Sequence, residues 1–167
     1  MQNREKIIAI SQERLPVIGW REHIALPELG IPELKAKIDT GARSSALHAF
    51  DVETFQDDGK MMVRFKVHPY QRDSDRTILA QAEVIDQRDV RNSGGHTQLR
   101  PVIQTTVEIG EFAFPIELTL TNRDKMGFRM LLGRQAVRRR FLVDAGQSFL
   151  HSQTRSQTRQ QASEKSL

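Results

Sequence analysis

From Val17 to Val143 apolar and polar side chains tend to alternate with a period of two, the spacing that sends successive residues to opposite faces of a strand. Leu34, Ala36 and Ile38 alternate with Lys35 and Lys37, and Val63, Phe65 and Val67 alternate with Arg64 and Lys66 after the turn signal Asp57-Asp58-Gly59. The clearest hairpin runs through Ile103, Thr105, Val107 and Ile109 into Gly110-Glu111 and returns through Phe112, Phe114, Ile116, Leu118 and Leu120. Pro115, which has no N–H to give to a ladder, predicts an edge position there. Met130-Leu131-Leu132 is apolar at every position, which suits a strand covered on both faces; a short helix over 134–140 and a last strand at Phe141-Leu142-Val143 follow. Many short strands with one or two short helices predict a mainly β domain, a closed or folded-over barrel. A parallel α/β sheet would need amphipathic crossover helices, which the chain does not supply.

A chain of 167 residues holds one domain with a real core. We place that domain at 15–151, with an N-terminal arm at 1–14 and a disordered tail at 152–167. The tail repeats Ser-Gln-Thr-Arg at 152–155 and 156–159 and has little to anchor it to a core. Ile7-Ile8-Ala9-Ile10 is too short for a signal-peptide core, and nothing elsewhere approaches a membrane span. The absence of cysteine removes disulfides, thiolate nucleophiles and cysteine-held metals from consideration, and fits the reducing cytoplasm expected here. The net charge is only +4, with Arg138-Arg139-Arg140 as the one compact basic cluster, which argues for a solvated surface patch over nucleic-acid binding.

The residues that change the picture are Ile38-Asp39-Thr40-Gly41-Ala42. They put a carboxylate directly after an apolar strand, in a tight turn whose Gly allows close backbone approach and whose Thr can hydrogen-bond to a neighbour. Two readings stand for Asp39: a turn residue that accepts backbone hydrogen bonds, or one half of an acid-peptidase site. In the second, one carboxylate cannot serve as base and acid at once, whereas two held about 3 Å apart share a proton and divide the roles. One such Asp per chain then implies a homodimer. Asp144-Ala145-Gly146 offers a second Asp-x-Gly, but it lacks the middle Thr or Ser and follows the last strand, so a surface turn is expected.

Asp39-Thr40-Gly41-Ala42 followed far downstream by Leu131-Leu132-Gly133-Arg134 resembles the pattern of retropepsins, the homodimeric aspartic proteases. Asn92-Ser93-Gly94-Gly95-His96, leading into Val102 to Ile109, resembles their glycine-rich flap hairpin, where glycine lets the tip bend over substrate. More closely, Ile18-Gly19-Trp20-Arg21-Glu22, the stretch from Lys37 to His48 and the Leu-Leu-Gly-Arg end resemble the RimB-like bacterial proteins labelled ATP-dependent zinc proteases, which are associated with RimK-like glutamate ligases. The resemblance covers roughly 15–151. It implies a retropepsin-like barrel and an aspartic-type peptidase with Asp39, Thr40 and Gly41 at the catalytic centre. Substrate would meet Ala42, Arg43, Gly94 and Gly95, with Leu132, Gly133 and Arg134 as structural support. Its partners would be a second copy, a peptide or protein substrate that is acidic or glutamylated, and a RimK-like ligase. The alternative is a non-catalytic module that grips a peptide tail or the ligase itself.

The family label and the residues disagree. No His-Glu-x-x-His occurs, His23, His48, His68, His96 and His151 are scattered without ligand spacing, and no phosphate-binding glycine loop is present. Neither metal nor other cofactor is expected. Arg43 stands open between an ion-pair role and a contact to acidic substrate groups, and Arg134 is expected to be structural.

Overall fold

The computed structural model describes residues 15–70, 76–91, 94–122 and 127–151. The expected N-terminal arm, the C-terminal tail and Asn92-Ser93 of the flap lie outside the described residues. Along the chain run β1 (Val17–Gly19), β2 (Arg21–Leu26), a 3-10 turn (Pro27–Leu29), β3 (Ile31–Asp39), β4 (Ser45–His48), β5 (Phe50–Asp57) and β6 (Lys60–Val67). Then come β7 (Ile78–Arg91), β8 (Thr97–Ile109), β9 (Phe112–Thr121), β10 (Met130–Gly133), helix α1 (Arg134–Val137) and β11 (Leu142–Asp144).

The alternation read from the sequence becomes a face. Leu34, Ala36 and Ile38 of β3, Val63, Phe65 and Val67 of β6, and Val107, Ile109, Leu118 and Leu120 of the β8–β9 hairpin are buried together in one core. Strands β2, β3, β10, β4, β9 and β8 pair in that order, and contact between Ala25 of β2 and Glu108 of β8 closes them into a six-stranded barrel. β7, β6 and β5 continue outward from β8 as an antiparallel extension. The turn between β5 and β6 has both Asp58 and Gly59 at positive φ (50° and 76°), the two-residue geometry whose twist matches a hairpin.

β10 is the keystone. It lies parallel to β3 on one side, with Met130 opposite Ala36 and Gly133 opposite Asp39, and antiparallel to β4 on the other. Met130 and Leu132 are fully buried and Leu131 half-buried, as its unbroken apolar run requires. Two expectations need correction. β9 is an interior strand, but β4 pairs only with Leu118–Thr121, so Pro115 falls where β8 is the one neighbour and its missing N–H costs no ladder bond. The helix expected over 134–140 stops at Val137: Arg139 takes a φ of 64°, and the N–H groups of Arg140 and Phe141 both return to the Val137 carbonyl, turning the chain so that Phe141 is buried.

The last described turn is tied down by one carboxylate. Glu22, wholly buried on β2, accepts the N–H groups of Gly19 (3.1 Å), Leu150 (2.8 Å) and His151 (3.4 Å). A buried charge is tolerable when several donors replace its water, as here. Beside it, the His23 ring stacks on Phe149 at 4.5 Å and meets Glu33 at 3.3 Å. Burial pushes the His23 imidazole below its ordinary 6.5, outweighing the attraction of Glu33. The unfolded chain therefore binds a proton more readily, so His23 contributes stability that is intact above pH 6.5 and is lost as the pH falls below it. Denaturant titrations across that interval should show a shallower loss of stability on acidification for His23→Gln than for the parent; parallel curves would contradict the assignment.

Candidate active site

Asp39 ends β3 and is half-buried. Its Oδ1 accepts the N–H of Gly41 at 3.1 Å and of Ala42 at 3.2 Å, a turn in which the side chain substitutes for a backbone acceptor. Among the described residues both side-chain hydrogen bonds of Asp39 fall on Oδ1, so that oxygen is oriented by the loop and Oδ2 takes no part in them.

The rest of the loop is held from β10 and α1. The N–H of Arg134 donates to the Ala42 carbonyl at 2.7 Å, that of Gln135 to the Arg43 carbonyl at 3.1 Å, and the Arg134 guanidinium to the Thr40 carbonyl at 3.2 Å. The Gly133 N–H donates to Ser45 Oγ at 3.0 Å in a buried contact. Gly133 packs against the Ser44 backbone so closely that a Cβ there would lie 2.5 Å from the Ser44 carbonyl carbon and oxygen. The sequence pairing of Asp-Thr-Gly-Ala with Leu-Leu-Gly-Arg thus has a physical basis: the second motif supplies the donors and the gap that shape the first.

Thr40, Gly41 and Arg43 are exposed beside the half-buried Asp39, so the loop presents an open face. The β7–β8 hairpin forms the other wall. Arg88, Asp89 and Arg100 of its stem line a cavity of about 250 Å³ together with Ala42, Ser44 and Ser45. Gly94 and Gly95, singled out in the sequence as substrate contacts, are exposed at the hairpin tip beyond the last pair, Arg91 with Thr97. The residues that meet the cavity come from the stem. Sequence reasoning missed them, although Arg88 and Arg100 are equidistant from Gly94 and so had to pair once the tip was placed there.

Other candidates separate from this site. Asp144 accepts the Gly146 N–H at 2.9 Å in an exposed turn after β11, the surface role expected of it. Among the described residues no group of three His, Asp or Glu side chains could hold a metal, so a zinc centre finds no fitting ligand set there and no catalytic step is drawn through one. Likewise no helix of the described residues is long and apolar enough to cross a membrane.

Comparison with known proteins places the chain in a family. Two curated relatives, from Parasynechococcus marenigrum and Desulfotalea psychrophila, are 49% and 47% identical over 128 residues and are each named probable alpha-L-glutamate ligase. Each match takes in 77% of this chain and 28% of the relative, so the chain spans less than a third of their length. A crystal structure of a Legionella pneumophila protein of unknown function superposes with a TM-score of 0.69 at 26% identity, over 81% of this chain and 98% of that one. The family model described as retropepsin-like aspartic endopeptidase RimB matches residues 17–154. With that match across the barrel and both motifs, the chain belongs to the RimB-like family of retropepsin-like aspartic endopeptidases.

Proposed function

We propose that two copies of this chain form an aspartic peptidase, with one Asp39 from each meeting across a two-fold axis to hold and activate a water molecule. The observation that carries this reading is the Asp39 loop itself: a carboxylate with one oxygen fixed by the Gly41 and Ala42 N–H groups, next to exposed Thr40 and Gly41. In this reading Thr40 and Gly41 shape the paired centre. One carboxylate takes the proton of the water as it attacks the peptide carbonyl, while the other, protonated, donates to the carbonyl oxygen. Leu132, Gly133 and Arg134 support the loop from below, Ala42 and Arg43 border the substrate, and Gly94-Gly95 tip a flap. The retropepsin-like domain would extend over 15–151, with the arm and tail on either side, and the compartment would be the cytoplasm.

The names of the curated relatives favour substrates that carry glutamate, peptides with acidic or glutamylated tails, and a RimK-like ligase as partner. A second reading rests on the same comparison. A segment like this chain occupies 28% of proteins named for ligation, so the barrel could serve as a peptide-gripping module that partners a ligase without hydrolysis.

Dilution separates these readings. A dimeric site should lose specific activity as the protein is diluted through its dissociation range, with sedimentation showing monomer in the same range. A pepstatin-type inhibitor should abolish turnover and a chelator should leave it intact. Activity that is independent of concentration in a strict monomer, or lost to chelator alone, would overturn the proposal.

A further inference from the structure

The segment Ile18-Gly19-Trp20-Arg21-Glu22 has no part in the chemistry proposed for Asp39, yet the fold ties it both to the strand that carries Asp39 and to the turn at 147–151. Gly19 lies so close to that turn that a Cβ there would sit 2.4 Å from the Gln147 carbonyl oxygen and 2.9 Å from the Ser148 Cα, an approach that only glycine permits. The Trp20 N–H donates to the same Gln147 carbonyl at 2.9 Å. The Arg21 carbonyl accepts the Phe149 N–H at 2.9 Å, and Arg21 Nε donates to Ser148 Oγ at 3.1 Å. Glu22 closes the set: its buried carboxylate takes the N–H groups of Leu150 and His151 from the turn and that of Gly19 from β1.

Trp20 is held from two sides. Its carbonyl accepts the N–H of Ile38, the residue before Asp39, at 2.8 Å. Regular pairing of β2 with β3 begins at Arg21 opposite Lys37, so this bond carries the ladder on to the neighbour of Asp39. Across β3, Leu132 and Gly133 of β10 stand opposite Ile38 and Asp39. The Asp39 end of β3 is therefore gripped between β10 and Trp20, and Trp20 between Ile38 and the turn. Phe149, at the middle of the turn, has a φ of 54° without being glycine. Its ring stacks on His23 at 4.5 Å, under the Arg21 guanidinium at 4.9 Å, which also covers the Trp20 ring at 4.6 Å. A backbone so strained persists only where its surroundings over-determine it, and here the carboxylate of Glu22 and the stacked ring do so together.

We infer that the turn at 147–151 is a strap that positions Asp39 through Trp20, with Glu22 as the positioning residue that keeps it closed; its effect on rate rests on the reading of Asp39 as the catalytic carboxylate. Two carboxylates that share a proton tolerate little displacement, since a shift of about 1 Å in a reacting group can cost ~10²-fold in rate. Glu22 touches neither substrate nor Asp39 in this scheme. It acts by holding the Leu150 and His151 N–H groups, and so the Gln147 carbonyl that anchors Trp20.

Amide hydrogen exchange on the full chain tests the strap with or without turnover. Glu22→Gln turns part of the acceptor into a donor facing main-chain N–H groups, and Phe149→Ala loosens the same turn from its other side should the first variant fold poorly. Val63→Ala is the control for a purely structural loss, because Val63 is buried in β6, which pairs with neither β2 nor β3. Under native conditions a global loss of stability speeds all core amides by one factor, whereas a released strap speeds its own hydrogen bonds selectively. The expected result is that Glu22→Gln and Phe149→Ala accelerate the Leu150, Trp20 and Ile38 amides by at least ~10-fold relative to that of Val107 on β8, and that Val63→Ala does not. With a fluorogenic hexaglutamate peptide, kcat should fall by ~10-fold in the strap variants at a KM within about twofold of the parent. Equal acceleration of Ile38 and Val107, acceleration of Leu150 while Ile38 keeps the parent rate, or a kcat loss reproduced by Val63→Ala would each overturn the inference. A parent that never cleaves the peptide defeats the peptidase reading instead, and the exchange rates still decide whether the strap holds the Asp39 end of β3.

Discussion

Asp39→Asn is expected to lower peptide hydrolysis by ~10³-fold or more while leaving the barrel as stable as the parent, to within about 0.5 kcal/mol. The two halves of that expectation come from different atoms. Asparagine keeps an Oδ1 in the same place, so the N–H groups of Gly41 and Ala42 retain their acceptor and the loop retains its turn. What disappears is the capacity of the pair to hold and pass one proton, because an amide neither takes the proton of water nor supplies one to the substrate oxygen at neutral pH. Rates measured on parent and variant protein, alongside matched thermal melts, check both halves. Hydrolysis that survives the substitution would remove Asp39 from the chemistry, while loss of rate accompanied by loss of structure would say nothing specific about it.

Gly133→Ala should give the largest stability effect of a single added methyl group. The new Cβ would sit 2.5 Å from main-chain atoms of Ser44, and neither side can yield cheaply because β10 is clamped between β3 and β4. We expect a loss of about 3 kcal/mol, read as a fall of ~6–12 °C in Tm for a domain of this size. Activity should fall further than folding alone accounts for, since Gly133 is the register partner of Asp39 and its N–H binds Ser45 Oγ. Gly127→Ala is the matched control, because a Cβ there meets nothing within 4 Å. Similar melts for both variants would refute the steric account of the glycine in Leu-Leu-Gly-Arg.

Local pattern reached a long way in this chain. Alternation identified the buried faces of β3, β6, β8 and β9 because the period of two is a property of the extended backbone itself. It failed on β7, where the inward series Ile78, Ala80, Ala82 and Val84 is made of small steps and the outward face carries exposed Leu79 and Ile85, so apolar residues occur on both sides. The two motifs of the candidate site were also legible, and the Arg134 guanidinium of the second reaches the Thr40 carbonyl of the first.

Partnership between distant segments was another matter. Alternation says which side of a strand is buried and nothing about which strand lies beside it, so the insertion of β10 between β3 and β4 had no local signature. The same holds for Glu22, whose acceptor role depends on the Leu150 N–H 128 residues away, and for Arg100, placed at the cleft only by the curl of a hairpin around the barrel. By itself the sequence determined strands, faces and a carboxylate in a turn, because those follow from neighbours along the backbone. The tertiary structure alone decided which turns and charges share a cleft, because that depends on closing long loops around a common core.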